Sequence, residues 1–209
     1  MTVIAVDGTF ASGKGTLGKA LAAHYGIAYL DTGKLYRATA KRVLDAGGNV
    51  ALEADGETAA LNLSPDDLYD PILKSGPIGA AASKVSVHQK VRAALLAFQR
   101  EFAAKGGVLD GRDIGTVICP DADVKLYVTA TQIERAKRRH AELAGYGEKL
   151  TVDQVLEQLI ERDTRDSTRA VAPLKPAADA HMLDTTDMSI EAVLSAAIEI
   201  CDAVLKQHD

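Results

Sequence analysis

Tryptophan is absent, and three phenylalanines and six tyrosines supply all the large aromatic rings. So sparse a set offers no platform for stacking the successive bases of a single strand. Acids outnumber bases to leave a formal net charge of -5, so neither polymeric nucleic acid nor an anionic membrane surface would be drawn to the chain as a whole. Cysteine is nearly missing too. Cys119 and Cys201 lie too far apart for a metal-ligand spacing and read as unpaired thiols of a reducing cytoplasm. No apolar run reaches the length of a membrane span, and no basic segment precedes the short hydrophobic stretch in MTVIAVDG, which reads as a buried strand. Repeats, low-complexity tracts and long linkers are lacking as well. What remains is a globular chain of 209 residues, 47% hydrophobic and 25% charged, expected to fold as a single domain and act as a monomer.

Three short apolar runs stand out as strands: Val3 to Val6, Val108 to Leu109 and Val124 to Val128. Polar or glycine-rich residues follow each, and then a segment of helical period, the alternation of βαβ units around a parallel sheet. Ile27 to Leu30 and His181 to Leu183 complete an expected α/β fold, a five-stranded parallel sheet flanked by helices. Between Ala80 and Ala104, the residues Val87, Val91, Leu95, Phe98 and Phe102 recur at spacings of three and four and predict one helix face. Residues 45–79 are rich in glycine, proline and acids and read as a short insertion or mobile acceptor-side segment. Residues 145–176 carry charges of both signs, with Val155, Leu156, Leu159 and Ile160 anchoring a helix.

Gly8 is followed after four residues by Gly13 and Lys14, after a strand and before the helical run Leu17 to Leu21. Glycines there let backbone N–H groups of Gly8, Ala11, Ser12, Gly13, Lys14, Gly15 and Thr16 turn toward phosphate oxygens. The helix N-terminus adds positive potential, and Lys14 reaches the β and γ oxygens of ATP. The residue after Lys14 is Gly15, with the hydroxyl one place later at Thr16. Side-chain ligation of Mg²⁺ at position 15 is thereby excluded, and the ion is expected on phosphates and waters, with Asp110 in its outer shell. A polar cap at the strand end is the plainer reading of Asp110.

Three further strings are distinctive: Tyr29-Leu30-Asp31-Thr32-Gly33-Lys34-Leu35-Tyr36-Arg37, Leu109-Asp110-Gly111-Arg112-Asp113-Ile114-Gly115-Thr116, and Arg162-Asp163-Thr164-Arg165-Asp166-Ser167-Thr168-Arg169-Ala170-Val171-Ala172-Pro173-Leu174. On a continuous helix Arg162, Asp166 and Arg169 share a face able to clamp a phosphate and a ribose hydroxyl. A solvated, self-neutralising helix fits the same pattern. Arg135, Arg138 and Arg139 could stack on adenine, although covering a helix face is the reading favoured for them.

Together with the GKGT of the glycine loop, these strings resemble the bacterial cytidylate kinases, from the first strand to Ile190. The resemblance implies transfer of the γ-phosphoryl group of ATP, with Mg²⁺, to CMP or dCMP. By the same resemblance Arg37, Arg112 and Arg169 hold the acceptor phosphate, Arg162 and Asp166 approach ribose and migrating phosphate from a lid over residues 145–176, and Ser83, Arg92 and Asp113 surround cytosine, with Thr32 nearby. Lys14, Arg112, Arg162 and Arg169 are then the catalytic group. Asp113 suits cytosine, whose exocyclic amine donates where uracil presents an acceptor. Ser83 taken alone reads as an ordinary surface serine. The chain departs from its relatives at Thr9-Phe10-Ala11, where they usually read proline, serine and glycine, at Thr168 in place of asparagine, and in a shorter insertion. Two rivals stay open: a small P-loop kinase acting on adenylate, shikimate or dephospho-coenzyme A, and a non-catalytic nucleotide-binding module.

Overall fold

A computed structural model describes residues 1–206. Five strands form, β1 (Val3–Gly8), β2 (Tyr29–Asp31), β3 (Gly107–Gly111), β4 (Val124–Thr129) and β5 (His181–Asp184), all where the apolar runs predict them. They pair in parallel in the order β2-β3-β1-β4-β5. Eight helices connect and cover them: α1 (Lys14–Tyr25), α2 (Thr32–Asp45), α3 (Glu53–Leu61), α4 (Gly76–Val85), α5 (Gln89–Ala104), α6 (Gln132–Gly145), α7 (Val152–Thr168) and α8 (Ile190–Leu205).

The central strand is apolar from Val3 to Val6 because both sheet faces are covered. Ile4 and Val6 pack with Leu17 and Leu21 of α1 and with Ala197 and Cys201 of α8, whereas Ala5 faces Leu109, Ile114 and Ala103 on the other side. Truncating one such residue, Leu21→Ala for example, removes about 2–5 kcal/mol, a large share of a typical domain's stability. In a sheet of this order the chain leaves β1 toward one side and later returns to the other, so the crevice lies at the carboxyl ends of the strands. Register sets Asp7 beside Gly111 and Asp31 beside Asp110 there.

Several helix expectations need correction. Ala80 to Ala104 is two helices, broken at Ser86, Val87 and His88, so Val87 does not share a helix with Val91. The Ser86 hydroxyl donates back to the Ser83 carbonyl at 3.0 Å, and His88 takes an extended conformation, which ends one helix and starts the next. On α5 the buried stripe is Val91, Arg92, Leu95, Gln99 and Ala103, while Phe98 is 46% exposed. Gln99 can be buried because its amide donates to the Leu95 carbonyl at 3.0 Å. On α7, Val155 and Leu159 are buried but Ile160 is 41% exposed. Arg169 lies past the end of α7 in extended backbone, so it does not continue the helical face of Arg162 and Asp166. Within residues 45–79 the chain forms α3 and two short 3-10 turns, more regular structure than its composition suggests.

Candidate active site

The loop after β1 is set by close approach of strand β4. A Cβ at Gly8 would stand 2.0 Å from the Val128 carbonyl oxygen, so only glycine fits. Gly13 begins α1 at φ 90° with no side chain capping it, which leaves the first-turn N–H groups without intrahelical partners and open to an anion. Lys14 is buried, its Nζ donating to the Thr9 carbonyl at 3.1 Å. Beneath it lies Asp110, whose Oδ2 accepts from the Tyr29 hydroxyl at 2.9 Å. That same oxygen is 3.1 Å from where a Cβ at Gly15 would be. The missing side chain at position 15 thus makes room for the carboxylate.

Across the crevice stand the guanidinium groups. Arg37 on α2 pairs with Asp31 at 2.7 Å, the residue that also caps α2 by accepting from the Lys34 N–H at 3.1 Å. Arg112 donates to Asp166 at 3.0 Å and to the Gly111 carbonyl at 3.0 Å. Arg92 pairs with Asp113 at 2.5 Å, and Arg169 reaches the other oxygen of Asp113 at 3.5 Å. Thr32, at the start of α2, donates to the Asp110 carbonyl at 2.8 Å. All of these line, or lie against, one cavity of about 360 Å³ that also contains Gly13, Lys14, Gly15 and Thr16. Nine lysine and arginine side chains line it against five carboxylates, in a chain that is acidic overall. Arg37 Nε and Arg162 Nε are buried there without partners, as donors awaiting an acceptor.

Gly8 and Ser12 shape the loop from behind the cavity wall, and Ser83 also stands off it. Ser83 is buried, against the surface position expected of an isolated serine, and its hydroxyl oxygen accepts from Arg165 at 2.7 Å. The neighbouring cavity residue is Ser86, whose carbonyl accepts from Arg92 at 3.2 Å. The expectation that Arg135, Arg138 and Arg139 merely cover a helix face fails. Arg135 is buried and donates to the carbonyls of Ala130 and Phe10, Arg138 to the carbonyl of Thr185, and Arg139 faces the ring of Phe10.

Burial and crowded charge distort several ionisations. Burial lowers the Lys14 ammonium and Arg112 lowers it further; burial raises its partner Asp110, although Lys14 itself pulls the other way. Arg162 is lowered to about 9, first by burial and then by the neighbouring Arg112, Arg37 and Arg139 despite the opposing Asp166. Burial would raise Asp166, but Arg112, Arg162 and Arg169 outweigh it and hold the carboxyl below its usual range. A cavity of this kind is short of negative charge.

Sequence reading missed Asp7 and Phe10. Asp7 is buried, its two oxygens accepting the N–H groups of Ile114 and Gly115 at 2.8 Å each, and burial pushes its carboxyl up to about 7. An acid inside an apolar run was the available signal, because a buried carboxylate must find donors. Phe10 had no local signal beyond its departure from the usual loop residues. A second cavity of about 500 Å³ shares Ala11, Gly13 and Thr16 with the first and runs between α1, α6 and the start of α8, lined by Leu17, Arg138, Thr185, Met188 and Val193.

A parallel sheet whose central strand delivers a glycine loop and a buried lysine to a crevice rich in guanidinium groups defines a kinase-type P-loop protein. The family model described as cytidylate kinase matches residues 4–203. Over 204 residues, 97% of this chain, a cytidylate kinase of Nitrobacter winogradskyi is 57% identical and one of Rhodopseudomonas palustris (strain BisB18) is 56% identical, each covered over 96% of its length. The chain belongs to the cytidylate kinase family. Its fold is shared by an uncharacterized protein from Eubacterium ventriosum at a TM-score of 0.56 and 16% identity, covering 97% of this chain and 99% of that one.

Proposed function

We propose that the chain transfers the γ-phosphoryl group of ATP to the phosphate of CMP or dCMP, giving ADP and the nucleoside diphosphate. One observation carries the reading: a backbone-and-ammonium cradle at Lys14 and a guanidinium cradle of Arg37, Arg112 and Arg169 share a single cavity. Two anion sites in one enclosed space suit two phosphorylated substrates placed for transfer, whereas a nucleotide sensor needs only one. The second cavity continues from the glycine loop and would take the adenosine of ATP.

Phosphoryl transfer asks for alignment and charge neutralisation. The loop amides and Lys14 hold the ATP phosphates, and the three acceptor arginines hold the CMP phosphate in line. Arg162 covers the migrating group from a lid made by residues 145–176, with Gly145 and Gly147 as its hinge. The acceptor oxygen is already ionised at neutral pH, so no general base is needed. Asp166 faces the ribose, and Arg92 with Asp113 reads cytosine, Ser83 acting from behind them. Closure excludes water, which would otherwise take the phosphoryl group.

Among the described residues no cluster of three or more His, Cys, Asp or Glu is ready to hold a metal. With no side chain at position 15 to ligate it, Mg²⁺ would be carried on the nucleotide phosphates, with Asp110 behind it through water in the space that Gly15 leaves. Bound there, Mg²⁺ would neutralise charge on the β and γ oxygens. Both cradles are complete in one chain, in keeping with a monomer, and the free, buried thiols Cys119 and Cys201 suit a reducing cytoplasm. No helix among the described residues is long and apolar enough to cross a membrane.

ADP release measured with CMP, dCMP, UMP, AMP, shikimate and dephospho-coenzyme A tests the reading. CMP and dCMP should turn over, with UMP tens-fold poorer in kcat/KM and the rest at background. Turnover of any other acceptor at the CMP rate would replace it.

A further inference from the structure

The phosphate loop is tied to the α6–α7 pair through one unusual residue. The ring centroid of Phe10 lies 3.9 Å from the guanidinium carbon of Arg162 on α7 and 5.4 Å from that of Arg139 on α6. The ring packs on the apolar cluster of Ala136, Leu143, Val155 and Leu159 that joins the two helices. The Phe10 carbonyl accepts from Arg135 at 3.0 Å, and Arg135 pairs across to Asp163 of α7 at 2.7 Å. Next in sequence, Ala11 sits at φ 59°, a left-handed conformation in which it lacks the swivel that a glycine would give the loop.

Arg162 has little else to hold it. Its Nη1 is 3.5 Å from the Gly79 carbonyl, its Nε is 3.9 Å from Asp166, and that Nε has no hydrogen-bond partner. Asp166 attracts it from that distance, while Arg112, Arg37 and Arg139 together repel it. Left to those forces, a guanidinium would drift toward solvent; the electron-rich ring face opposes that drift.

We infer that Phe10 is a positioning residue whose ring holds Arg162 over the phosphate loop, so that the lid helix is in register with ATP before the acceptor phosphate reacts. The inference rests on the reading that Arg162 covers the migrating phosphoryl group. Phe10 does no chemistry itself. Its contribution passes through Arg162, and should appear in turnover rather than in acceptor binding.

Steady-state kinetics on Phe10→Leu, Phe10→Tyr, Arg162→Met and the double variant Phe10→Leu with Arg162→Met test it, alongside melting temperature. Phe10→Leu keeps an apolar side chain against the α6–α7 cluster but removes the ring, and should lower kcat about tenfold with the KM for CMP nearly unchanged and the melting temperature close to that of the parent. Phe10→Tyr keeps the ring face and should restore kcat. In the double variant the loss should equal that of Arg162→Met alone, because the ring then has nothing to position. Fully additive losses, or a Phe10→Leu enzyme with parental kcat, would overturn the role given to Phe10 while leaving the CMP kinase reading intact. An unsubstituted protein that does not phosphorylate CMP or dCMP at all would instead remove that reading, and this inference with it.

Discussion

Arg92 and Asp113 meet guanidinium to carboxylate at 2.5 Å, with only 8% and 7% of their side chains exposed. Arg169 adds a second cation to the same carboxylate at 3.5 Å. The trio is therefore one positive charge in excess, and in the proposed function an incoming nucleotide would meet Arg169 with its phosphate and the pair with its base.

Asp113→Asn keeps the shape but swaps one acceptor for donors. It should reduce the preference for CMP over UMP from tens-fold to a few-fold, since with its one oxygen held by Arg92 the amide turns donors toward the cytosine amine. Breaking a buried ion pair should also cost about 3–5 kcal/mol of stability. The kcat/KM ratio for the two acceptors and a urea melt check both halves. An unchanged ratio would take Asp113 out of base selection.

Burial lowers the Lys14 ammonium to about 7, with Arg112 adding to the shift. The phosphates of ATP favour the ammonium, so binding should draw a proton from solvent at mildly alkaline pH, where the free side chain is neutral and the bound one charged. Calorimetry of ATP binding at about pH 8.5 in buffers of different protonation enthalpy should show uptake approaching one proton. Lys14→Met should abolish the uptake and cut turnover about a thousandfold or more with the fold intact. Proton-neutral binding by the parent protein would contradict the shift.

Much of this was legible beforehand, for physical reasons that differ by region. The strands could be read because a sheet covered on both faces needs uninterrupted apolar runs, and the glycine loop because its geometry is local. What escaped depends mostly on distant partners, and once on a side chain satisfied within its own helix. Arg169 meets Asp113 from 56 positions away, so no helical periodicity could place it. Phe98 is large and apolar, yet Gln99 holds the buried position by satisfying its amide within α5. Phe10 finds its partners 129 and 152 residues later, at Arg139 and Arg162.

Asp7 makes a stability prediction with a definite sign. Unfolded, the carboxyl titrates near 3.8; folded, burial lifts it to about 7 despite two backbone donors. The folded state binds the extra proton between those values, so this contribution is fully present below the unfolded value and is lost as pH rises toward 7. Its size is on the order of 4 kcal/mol at most. Asp7→Asn cannot titrate and leaves one amide N–H facing a donor, a cost of about 1–3 kcal/mol at every pH. The parent's advantage over the variant in urea melts should therefore shrink and then reverse between about pH 4 and 7.5. A gap constant across that range would show that Asp7 stays ionised throughout.

Gly15 sets two effects against each other. Alanine is favoured over glycine within a helix by about 1 kcal/mol, a gain that needs open space at the new Cβ. Its Cβ, however, would stand 3.1 Å from Asp110 Oδ2, and Asp110 is buried against the Tyr29 hydroxyl at 2.9 Å with little room to retreat. The carboxylate must shift by a few tenths of an ångström, away from the place where it would steady phosphate-bound Mg²⁺ through water. Gly15→Ala should thus turn over about tenfold more slowly, need more Mg²⁺ to reach half its maximal rate, and show no gain in melting temperature. The Mg²⁺ requirement is the decisive reading, because a general disturbance of the loop would lower the rate without moving it. A variant with parental turnover and parental Mg²⁺ dependence would show that Asp110 has no part in placing the metal.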